Sequence, residues 1–421
     1  MDSNMIIRCK HLIDCSGRIE ENVYLTISGG YIAAMDCGDA PAFPPEECID
    51  LGDDSILIPG LVNAHTHLEL TLAQNCFRPQ PLFTNWIRTI ISVTSQWEID
   101  YFSQSLRDGI QQSVACGTTA AGDIIRQADG AAYSEFPLQG RAYYEVINFD
   151  SHTADKTSAA LKRNLAEHPT NGCMLAGISP HSPYTVSEEL LRQCVSLGHS
   201  ISAPLCIHLG ETVPELEFLR EGTGELRRFR EELGMPPGWT PPKKTPVEYF
   251  RDLGGLDRPA VLVHCNYADE NDLKIIAASG SSVVFCPRSH QYFRHRRHPV
   301  EAMLQWGINV AIGTDSLASS PSLSVLDEMK ALRRSYSGVS SIDILKMATL
   351  NGLRALSLPH EEELLRPGRP ADITVIRVGA GKEEQDKSPL EAIFADSSGA
   401  FFSLIGGKIA LRSVEREARK N

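Results

Sequence analysis

The sequence lacks the features of a secreted, membrane-spanning or nucleic-acid-binding protein. No C-x-x-C pair occurs among its 11 cysteines, and no apolar run approaches the length of a membrane span. The first residues lack a basic region followed by a long apolar one, so we expect no signal peptide and a reduced, cytoplasmic compartment. The net charge of −13 argues against binding to nucleic acid or to anionic membranes.

Motifs of several other enzyme classes are also missing. There is no H-E-x-x-H, which argues against a zincin protease, and no P-C-x-x-C that would complete a small zinc cytidine deaminase. The chain has neither a G-x-S-x-G nucleophile elbow nor a phosphate-binding P-loop. Any catalytic chemistry must therefore come from another arrangement.

The length and the hydrophobic content predict a large folded chain. Its 421 residues exceed a usual compact domain, unless that domain is an α/β barrel with additions, and the hydrophobic fraction of 42% supplies a sizeable core. Between about residues 60 and 355, short apolar runs alternate with amphipathic helical patterns, as in "AVLVHCNY" followed by "DENDLKIIAASG". Buried parallel strands that alternate with helices predict an α/β fold, a (β/α)8 barrel of the TIM type.

Both ends of the chain differ from this middle part. The first and last sixty residues show strand patterns, with Gly-Gly turns at 29–30 and 406–407. Because chain termini often lie close together, we predict that residues 1–59 and 356–421 form one small β-sandwich domain, and that residues 60–355 form the barrel. The connection 212–255 is longer than an ordinary barrel loop and is expected to be a lid or a surface decoration.

Polar residues follow the apolar runs of the barrel, at the carboxyl end of each predicted strand. His65 and His67 stand two apart, and residues two apart on a strand point to the same face, so both imidazoles can reach one point. His208 and Asp315 follow two other strands. Active sites of these barrels lie at this end of the strands, and three imidazoles with one carboxylate are ligands that suit zinc. We therefore predict one metal ion bound by these four residues.

Further residues of the same motifs suit a hydrolytic reaction. Glu211, three residues after His208, can protonate an electrophile and carry a proton to a leaving group. His264 can orient the attacking water or serve as a further ligand, and Asp315 can also accept the proton of that water. Taken singly, each residue equally fits a polar strand end or a helix cap, whereas their combination favours a metal site.

The order of the motifs resembles that of the amidohydrolase superfamily. The chain contains in this order "PGLVNAHTHLEL", "HLGET", "VHCN", "CPRS" and "AIGTDS", and "ILKMATLNGLRALSL" and "RPGRPADITVI" extend the likeness over nearly the whole chain. It is most similar to the mononuclear deaminases and chlorohydrolases of nucleobase-like rings. No lysine that could bridge two metals stands near "AYYEVINF" or "AGISPHSPYT", which agrees with a single ion.

This resemblance implies a mechanism and a set of site residues. The four ligands named above would hold one divalent ion, zinc in the first place, with iron or manganese as alternatives. A metal-bound hydroxide would be the nucleophile, Glu211 the proton shuttle, and His264 and Asp315 would hold and relay the proton of the water. Four further residues are implied as substrate contacts: Glu69, Trp86, His181 and Arg288.

The stretches "PLFTNWIRTI", "CPRSHQYF" and "GTDSLASS" look most like aminofutalosine deaminases. Those enzymes act in menaquinone biosynthesis, on a substrate with an adenine ring and a benzoate. The resemblance implies a hydrolase of carbon–nitrogen bonds other than peptide bonds, a cyclic amidine deaminase acting on a small nucleoside-like substrate of the aminofutalosine or adenosine-analogue type. His290 and Ser320 stand where asparagine is common in that pattern, which leaves the choice of ring open.

Several alternatives stay open at this point. The same site can release chloride from a triazine or open a cyclic amide, because each reaction uses the same nucleophile. A metal-free barrel that serves only as a binding or scaffold subunit is the alternative of another class. Barrels of this type are often paired, so a homodimer stays open beside a monomer. The basic cluster 294–298 fits either a carboxylate-binding role or a solvated loop.

Overall fold

The computed structural model describes residues 5–38, 48–78, 80, 82–167, 173–235, 238–379 and 387–413. The outermost parts of the predicted terminal domain, residues 1–4 and 414–421, lie outside this range. Among the described residues, no helix is both long and apolar enough to cross a bilayer.

The described strands fall into a terminal group and a central group. The terminal strands are β1 Met5–Ile13, β2 Ile19–Ser28, β3 Tyr31–Cys37, β4 Cys48–Asp50, β5 Ser55–Pro59, β14 Ile373–Arg377, β15 Gly399–Ile405 and β16 Lys408–Arg412. The central strands are β6 Leu61–Thr66, β7 Thr118–Ile125, β8 Gln139–Val146, β9 Met174–Pro180, β10 Cys206–Leu209, β11 Val261–His264, β12 Ser282–Phe285 and β13 Asn309–Ile312.

Helices alternate with the central strands. The described α-helices are α1 Phe83–Thr94, α2 Ile99–Ala115, α3 Ala154–Glu167, α4 Glu188–Ile201, α5 Val213–Glu221, α6 Gly224–Glu232, α7 Pro246–Asp252, α8 Glu270–Ser279, α9 Pro287–Tyr292, α10 Val300–Gln305, α11 Val325–Ser335, α12 Ser341–Met347, α13 Leu350–Ala355 and α14 Pro389–Ala392. A 3₁₀ helix, Leu68–Ala73, follows β6 directly.

Both ends of the chain meet in one eight-stranded sheet. Its order is β16-β15-β14-β5-β1-β2-β3, with β4 paired to β1. The two ends join where β14 pairs antiparallel with β5, and β5 runs parallel to β1. Side chains on this sheet form a separate apolar core that includes Ile7, Leu25, Leu57 and Phe402. The structure thus pairs the chain ends, while the β-sandwich itself stays a prediction.

The central strands form two parallel four-stranded sheets, β6-β7-β8-β9 and β10-β11-β12-β13. Single bridges link their edges, from Thr66 to Asp315 and from Ile178 to Leu205. Strands such as β11 and β12 are buried along their whole length, because helices cover one face and neighbouring strands cover the other. This is an α/β fold of the TIM-barrel type, and it aligns the carboxyl ends of the strands on one side.

The long connection 212–255 contains three short helices, α5, α6 and α7. Thr212 caps α5 by accepting a hydrogen bond from the backbone of Glu215, and Thr245 forms a capping box with Glu248 at the start of α7. Helix α6 packs beside α1, where Arg88 pairs with Glu232. The described part of the insertion therefore lies beside the carboxyl ends of the strands.

Candidate metal centre and active site

Three strand ends bring three imidazoles and one carboxylate together. The ring centroid of His65 lies 4.9 Å from the centroids of both His67 and His208. Asp315 Oδ1 lies 3.9 Å from Nε2 of His65 and 3.7 Å from Nε2 of His67. The nearest ligand atoms of His65, His67 and Asp315 lie within 4.8 Å of one another, and so do those of His65, His208 and His264. The four residues predicted as ligands therefore fall into two overlapping groups, which share His65 and also include His264.

The donor set fits a divalent ion. His65 is fully buried, and neither of its ring nitrogens has a hydrogen-bond partner among the described residues. A buried polar atom without a partner is costly, and an ion would supply the missing interaction. Burial, together with the neighbouring imidazoles of His208 and His67, holds the pKa of His65 well below its usual value. The ring is then neutral, which is the form that binds metals.

Neighbouring groups orient the ligands. Nδ1 of His208 lies 2.8 Å from the carbonyl oxygen of His181, so this nitrogen donates the hydrogen bond and Nε2 stays free for an ion. Asp315 Oδ2 accepts hydrogen bonds from the hydroxyls of Ser289 and Ser319, at 2.7 and 3.0 Å. Burial raises the pKa of Asp315, but the imidazoles of His264 and His67 outweigh it and bring the pKa below its usual value.

Two site residues have a backbone conformation that is rare outside glycine. The φ angle is +70° at His264 and +59° at Asp315, both in the left-handed region. The amide of Asp315 donates a hydrogen bond to the carbonyl of His65 at 3.1 Å, which links the ends of β6 and β13. Such conformations persist only where the surrounding structure holds them, and they concentrate at functional sites.

Glu211 and His264 face each other beside the predicted ligands. Both are buried, and Oε1 of Glu211 lies 3.8 Å from Nε2 of His264. Burial, with the carboxylates of Asp315 and Glu215, raises the pKa of Glu211 well above its usual value. Glu215 holds the loop by accepting hydrogen bonds from the amides of Gly210 and Glu211, at 3.0 and 2.9 Å. These hydrogen bonds hold the carboxyl group of Glu211 at the strand end.

One cavity of about 540 Å³ opens onto these residues, a size in the range of small-molecule sites. Among the predicted substrate contacts, Glu69, Trp86 and His181 line it. Glu69 Oε2 accepts hydrogen bonds from the three consecutive amides of residues 126–128, at 2.9–3.1 Å, so this oxygen also holds the loop after β7. Trp86 is anchored by its indole N–H, which donates to the carbonyl of Ala318.

Arg288 lies elsewhere. It is absent from the cavity wall, and its guanidinium donates to Glu328 Oε1 at 2.6 Å and to the hydroxyl and the carbonyl of Ser322 at 2.9 and 2.7 Å. Helix α9 begins at Pro287, and the side chain of Arg288 turns toward α11 because the fully buried carboxylate of Glu328 needs a counter-charge there. The predicted substrate contact is thus replaced by a contact between two helices.

We expect Arg288→Leu to lower the free energy of unfolding by about 3–5 kcal/mol, because it leaves the carboxylate of Glu328 buried and unpaired. The KM should stay within about twofold. Urea unfolding and steady-state kinetics measure the two effects. Arg334→Leu is the matched control, since Arg334 pairs with the exposed Asp396 and its loss should cost no more than about 1 kcal/mol. A large rise in KM at unchanged stability would restore Arg288 as a substrate contact.

The basic cluster 294–298 also lies outside this cavity. Arg297 pairs with Glu301 at 2.8 Å, and the guanidinium of Arg296 lies 4.8 Å from the ring centre of Tyr267. The buried His298 contacts the carbonyl of His264 through Nε2 at 2.8 Å. The cluster therefore joins an exposed loop to the end of β11.

Three charged residues of the cavity wall were not predicted from the sequence: Arg126, Glu145 and Arg230. Arg126 and Glu145 stand at the carboxyl ends of β7 and β8, so the rule that selected His65 would have found them. Burial raises the pKa of Glu145 to about 8, and its Oε2 lies 3.9 Å from Nε of Arg126. Arg230 lies on α6 within the insertion, where no local pattern indicates a cavity.

Comparisons with known proteins agree with this architecture. The sequence profile of the amidohydrolase family matches residues 56–401. A 5-methylthioadenosine/S-adenosylhomocysteine deaminase of Thermoanaerobacter pseudethanolicus is 29% identical, over 94% of this chain and 90% of the relative. An aminodeoxyfutalosine deaminase of Deinococcus radiodurans is 31% identical, over 72% of this chain and 73% of the relative.

A solved structure extends the likeness to the whole fold. The zinc complex of atrazine chlorohydrolase from Arthrobacter aurescens superposes with a TM-score of 0.80, at 18% identity, over 97% of this chain and 95% of that one. The match of the family profile covers most of the chain and includes the carboxyl end of every described central strand, β6 to β13. The chain therefore belongs to the amidohydrolase family and is a hydrolase that acts on carbon–nitrogen bonds.

Proposed function

We propose that this chain is a metal-dependent hydrolytic deaminase of a purine-like ring, of the aminofutalosine or adenosine-analogue type. The observation that carries the proposal is the buried pair Glu211 and His264, 3.8 Å apart, in a cavity that is also lined by His67, His208 and Asp315. Hydrolytic removal of an amine needs a nucleophile on one side of the ring carbon and a proton donor for the ring nitrogen and the leaving group. This wall of the cavity offers residues for both tasks.

His65, His67, His208 and Asp315 would hold one divalent ion, with zinc as our first choice and iron or manganese as alternatives. When bound, such an ion supplies a nucleophilic oxygen at neutral pH, because it lowers the pKa of water to about 7. The zinc in the chlorohydrolase of the same fold supports this choice.

The protein side chains supply the proton transfers. Glu211 donates its proton to the ring nitrogen next to the amine-bearing carbon, which makes that carbon a better electrophile. Nε2 of His264 and Oδ1 of Asp315 hold the attacking water and accept its proton, which then passes through Glu211 to the leaving ammonia. Trp86, His181 and Glu69 line the cavity and are proposed to orient the ring and its sugar.

The substrate class rests on the curated relatives. Those named above are deaminases of methylthioadenosine, S-adenosylhomocysteine and aminodeoxyfutalosine, and another, from Methanothermobacter thermautotrophicus, is a 5'-deoxyadenosine deaminase with 27% identity. All four names describe adenosine analogues. A cavity of about 540 Å³ accommodates a nucleoside with a substituent.

An ammonia-release assay on the zinc-loaded protein tests the proposal. The panel contains aminofutalosine, aminodeoxyfutalosine, S-adenosylhomocysteine, 5'-methylthioadenosine, 5'-deoxyadenosine, adenosine, guanine and a chlorotriazine. We expect ammonia from at least one adenosine analogue, with a kcat/KM above those for guanine and the triazine. Chloride release instead would identify a chlorohydrolase, and no turnover with any cyclic amide or nucleoside would favour a non-catalytic subunit.

Two further predictions belong to this proposal. We propose that residues 1–59 and 356–421 form one domain around the terminal sheet, and that residues 60–355 form the catalytic barrel. We also propose that the enzyme acts in menaquinone biosynthesis. This proposal requires that aminofutalosine or aminodeoxyfutalosine is the best substrate of the panel.

A further inference from the structure

Arg230 is a buried cation without an ionic partner in the wall of the cavity. Its exposed fraction is 8%, and its Nε has no hydrogen-bond partner among the described residues. No carboxylate of the described residues forms an ion pair with it. Its guanidinium instead lies 4.2 Å from the ring centre of Phe149. A buried charge is costly unless it is paired, so this position calls for an anion that enters the cavity.

The other arginines near Arg230 are either paired or exposed. On the same helix, Arg227 pairs with Glu231 at 2.7 Å, and Arg228 is exposed. The second arginine that lines the cavity, Arg126, lies 3.9 Å from Oε2 of Glu145. Burial lowers the pKa of Arg230 to about 10, so the group remains cationic at neutral pH. Among the described residues, Arg230 is therefore the arginine of the cavity wall that has no carboxylate as an ion-pair partner.

The surroundings of Arg230 select the kind of anion. Phe229 and Leu233 of the insertion line the same cavity as Ile87 and Ile91 of α1, and Arg88, which lies 4.9 Å from the ring centre of Phe229, is paired with Glu232. One guanidinium matches the charge and the planar fork of one carboxylate, whereas a phosphate dianion would leave one negative charge uncompensated here. The apolar side chains suit an aromatic or aliphatic group that carries the carboxylate.

We propose that Arg230 is an anion-binding residue of the cavity and that it recognises one carboxylate carried by the substrate outside its purine ring. This inference rests on the proposed deamination and makes its substrate class more specific. The insertion 212–255 then contributes to specificity, because its helix α6 supplies this contact. An aromatic acid and an amino acid both carry a carboxylate that Arg230 could bind. The experiment below distinguishes these two sources of the carboxylate.

The test compares three nucleosides on the metal-loaded enzyme. Aminodeoxyfutalosine carries an aromatic carboxylate, S-adenosylhomocysteine an amino-acid carboxylate, and 5'-methylthioadenosine none. We expect Arg230→Met to lower kcat/KM about 100-fold for a carboxylate-bearing substrate, chiefly by raising KM. The substitution removes a charge-assisted hydrogen bond that stabilises the bound substrate and the transition state equally. The value for 5'-methylthioadenosine should change less than about threefold, and so should all values in the control Arg228→Met.

The carboxylate substrate that suffers the larger loss identifies the source of the anion. Arg230→Lys keeps the charge but not the fork, so we expect an intermediate loss of about tenfold. This second variant also serves if the methionine variant does not fold. An equal loss for all three nucleosides would assign Arg230 to packing on Phe149 alone and overturn the proposal, as would no loss for any of them.

Binding of benzoate, measured by calorimetry on the same variants, requires no turnover. We expect its Kd to rise at least tenfold in Arg230→Met and to stay unchanged in Arg228→Met. If no nucleoside is deaminated, the proposed function fails while this measurement still decides the role of Arg230. An unchanged Kd in Arg230→Met, with benzoate bound elsewhere, would overturn the inference even if deamination stands.

Discussion

Glu211→Gln should lower kcat for ammonia release by about 10³-fold while the protein keeps its metal. The substitution preserves the size of the side chain and removes the carboxyl group, whose pKa burial raises well above its usual value. General acid–base catalysis by one positioned side chain contributes about 10² to 10⁴ in rate, so the loss should lie in this range. Single-turnover kinetics, with metal content determined by mass spectrometry, measure both quantities on the same sample.

The matched control for this experiment is Glu189→Gln. Glu189 lies on the exposed face of α4 and accepts a hydrogen bond from Gln193 of the same helix, so the kcat of this variant should stay within about twofold of the wild-type value. A Glu211→Gln enzyme that keeps more than a tenth of its kcat, at unchanged metal content, would remove Glu211 from the proton transfers. His264, at 3.8 Å, would then be the next residue to test.

His208→Ala should abolish metal binding and activity together. The variant removes one of the four proposed ligands, while the backbone amide of residue 208 can still donate a hydrogen bond to the carbonyl of His181. We expect the zinc content after dialysis to fall from about one ion per chain to less than about 0.1. Without the ion, the pKa of the attacking water is no longer lowered to about 7, so kcat/KM should fall by at least about 10⁴-fold.

Thermal stability provides a readout of the same site that is independent of turnover. An ion that binds only the folded state stabilises it, by about 4 kcal/mol at a thousandfold excess over the Kd. Zinc should therefore raise the Tm of the metal-stripped wild type and leave that of His208→Ala unchanged. The exposed His152 supplies the control, since His152→Ala should behave as the wild type does. A His208→Ala protein that retains one ion per chain would contradict the proposed ligand set.

The sequence predicted the α/β fold of the TIM-barrel type and the pairing of the chain ends because both rest on local patterns. Apolar runs followed by helices identify buried parallel strands, and the structure has these strands from β6 to β13. The sequence of the long insertion predicted less about its structure. Its length indicated an addition near the site, but its three helices depend on caps such as Thr245 and on packing against α1.

The site residues also differ in how far their positions could be predicted from the sequence. His65, His67, His208 and Asp315 were predictable because the carboxyl ends of parallel strands meet on one side of the fold, whatever the connections are. The contact made by Arg288 was not predictable, because the orientation of its side chain depends on Glu328, which is 40 residues away in the chain. Its motif "CPRS" places it near the site but does not say which way the side chain turns.

The amino-acid sequence alone thus determined which residues stand at the strand ends and, through them, the family and the predicted ligands. Only the tertiary structure decided which arginines are neutralised and which one faces the cavity without a partner. The reason is physical: strand position follows from neighbours in the chain, whereas the charge state of a cavity depends on groups brought together from distant segments. Arg288 meets Glu328 between α9 and α11, while Arg230 remains unpaired where α6 packs beside α1.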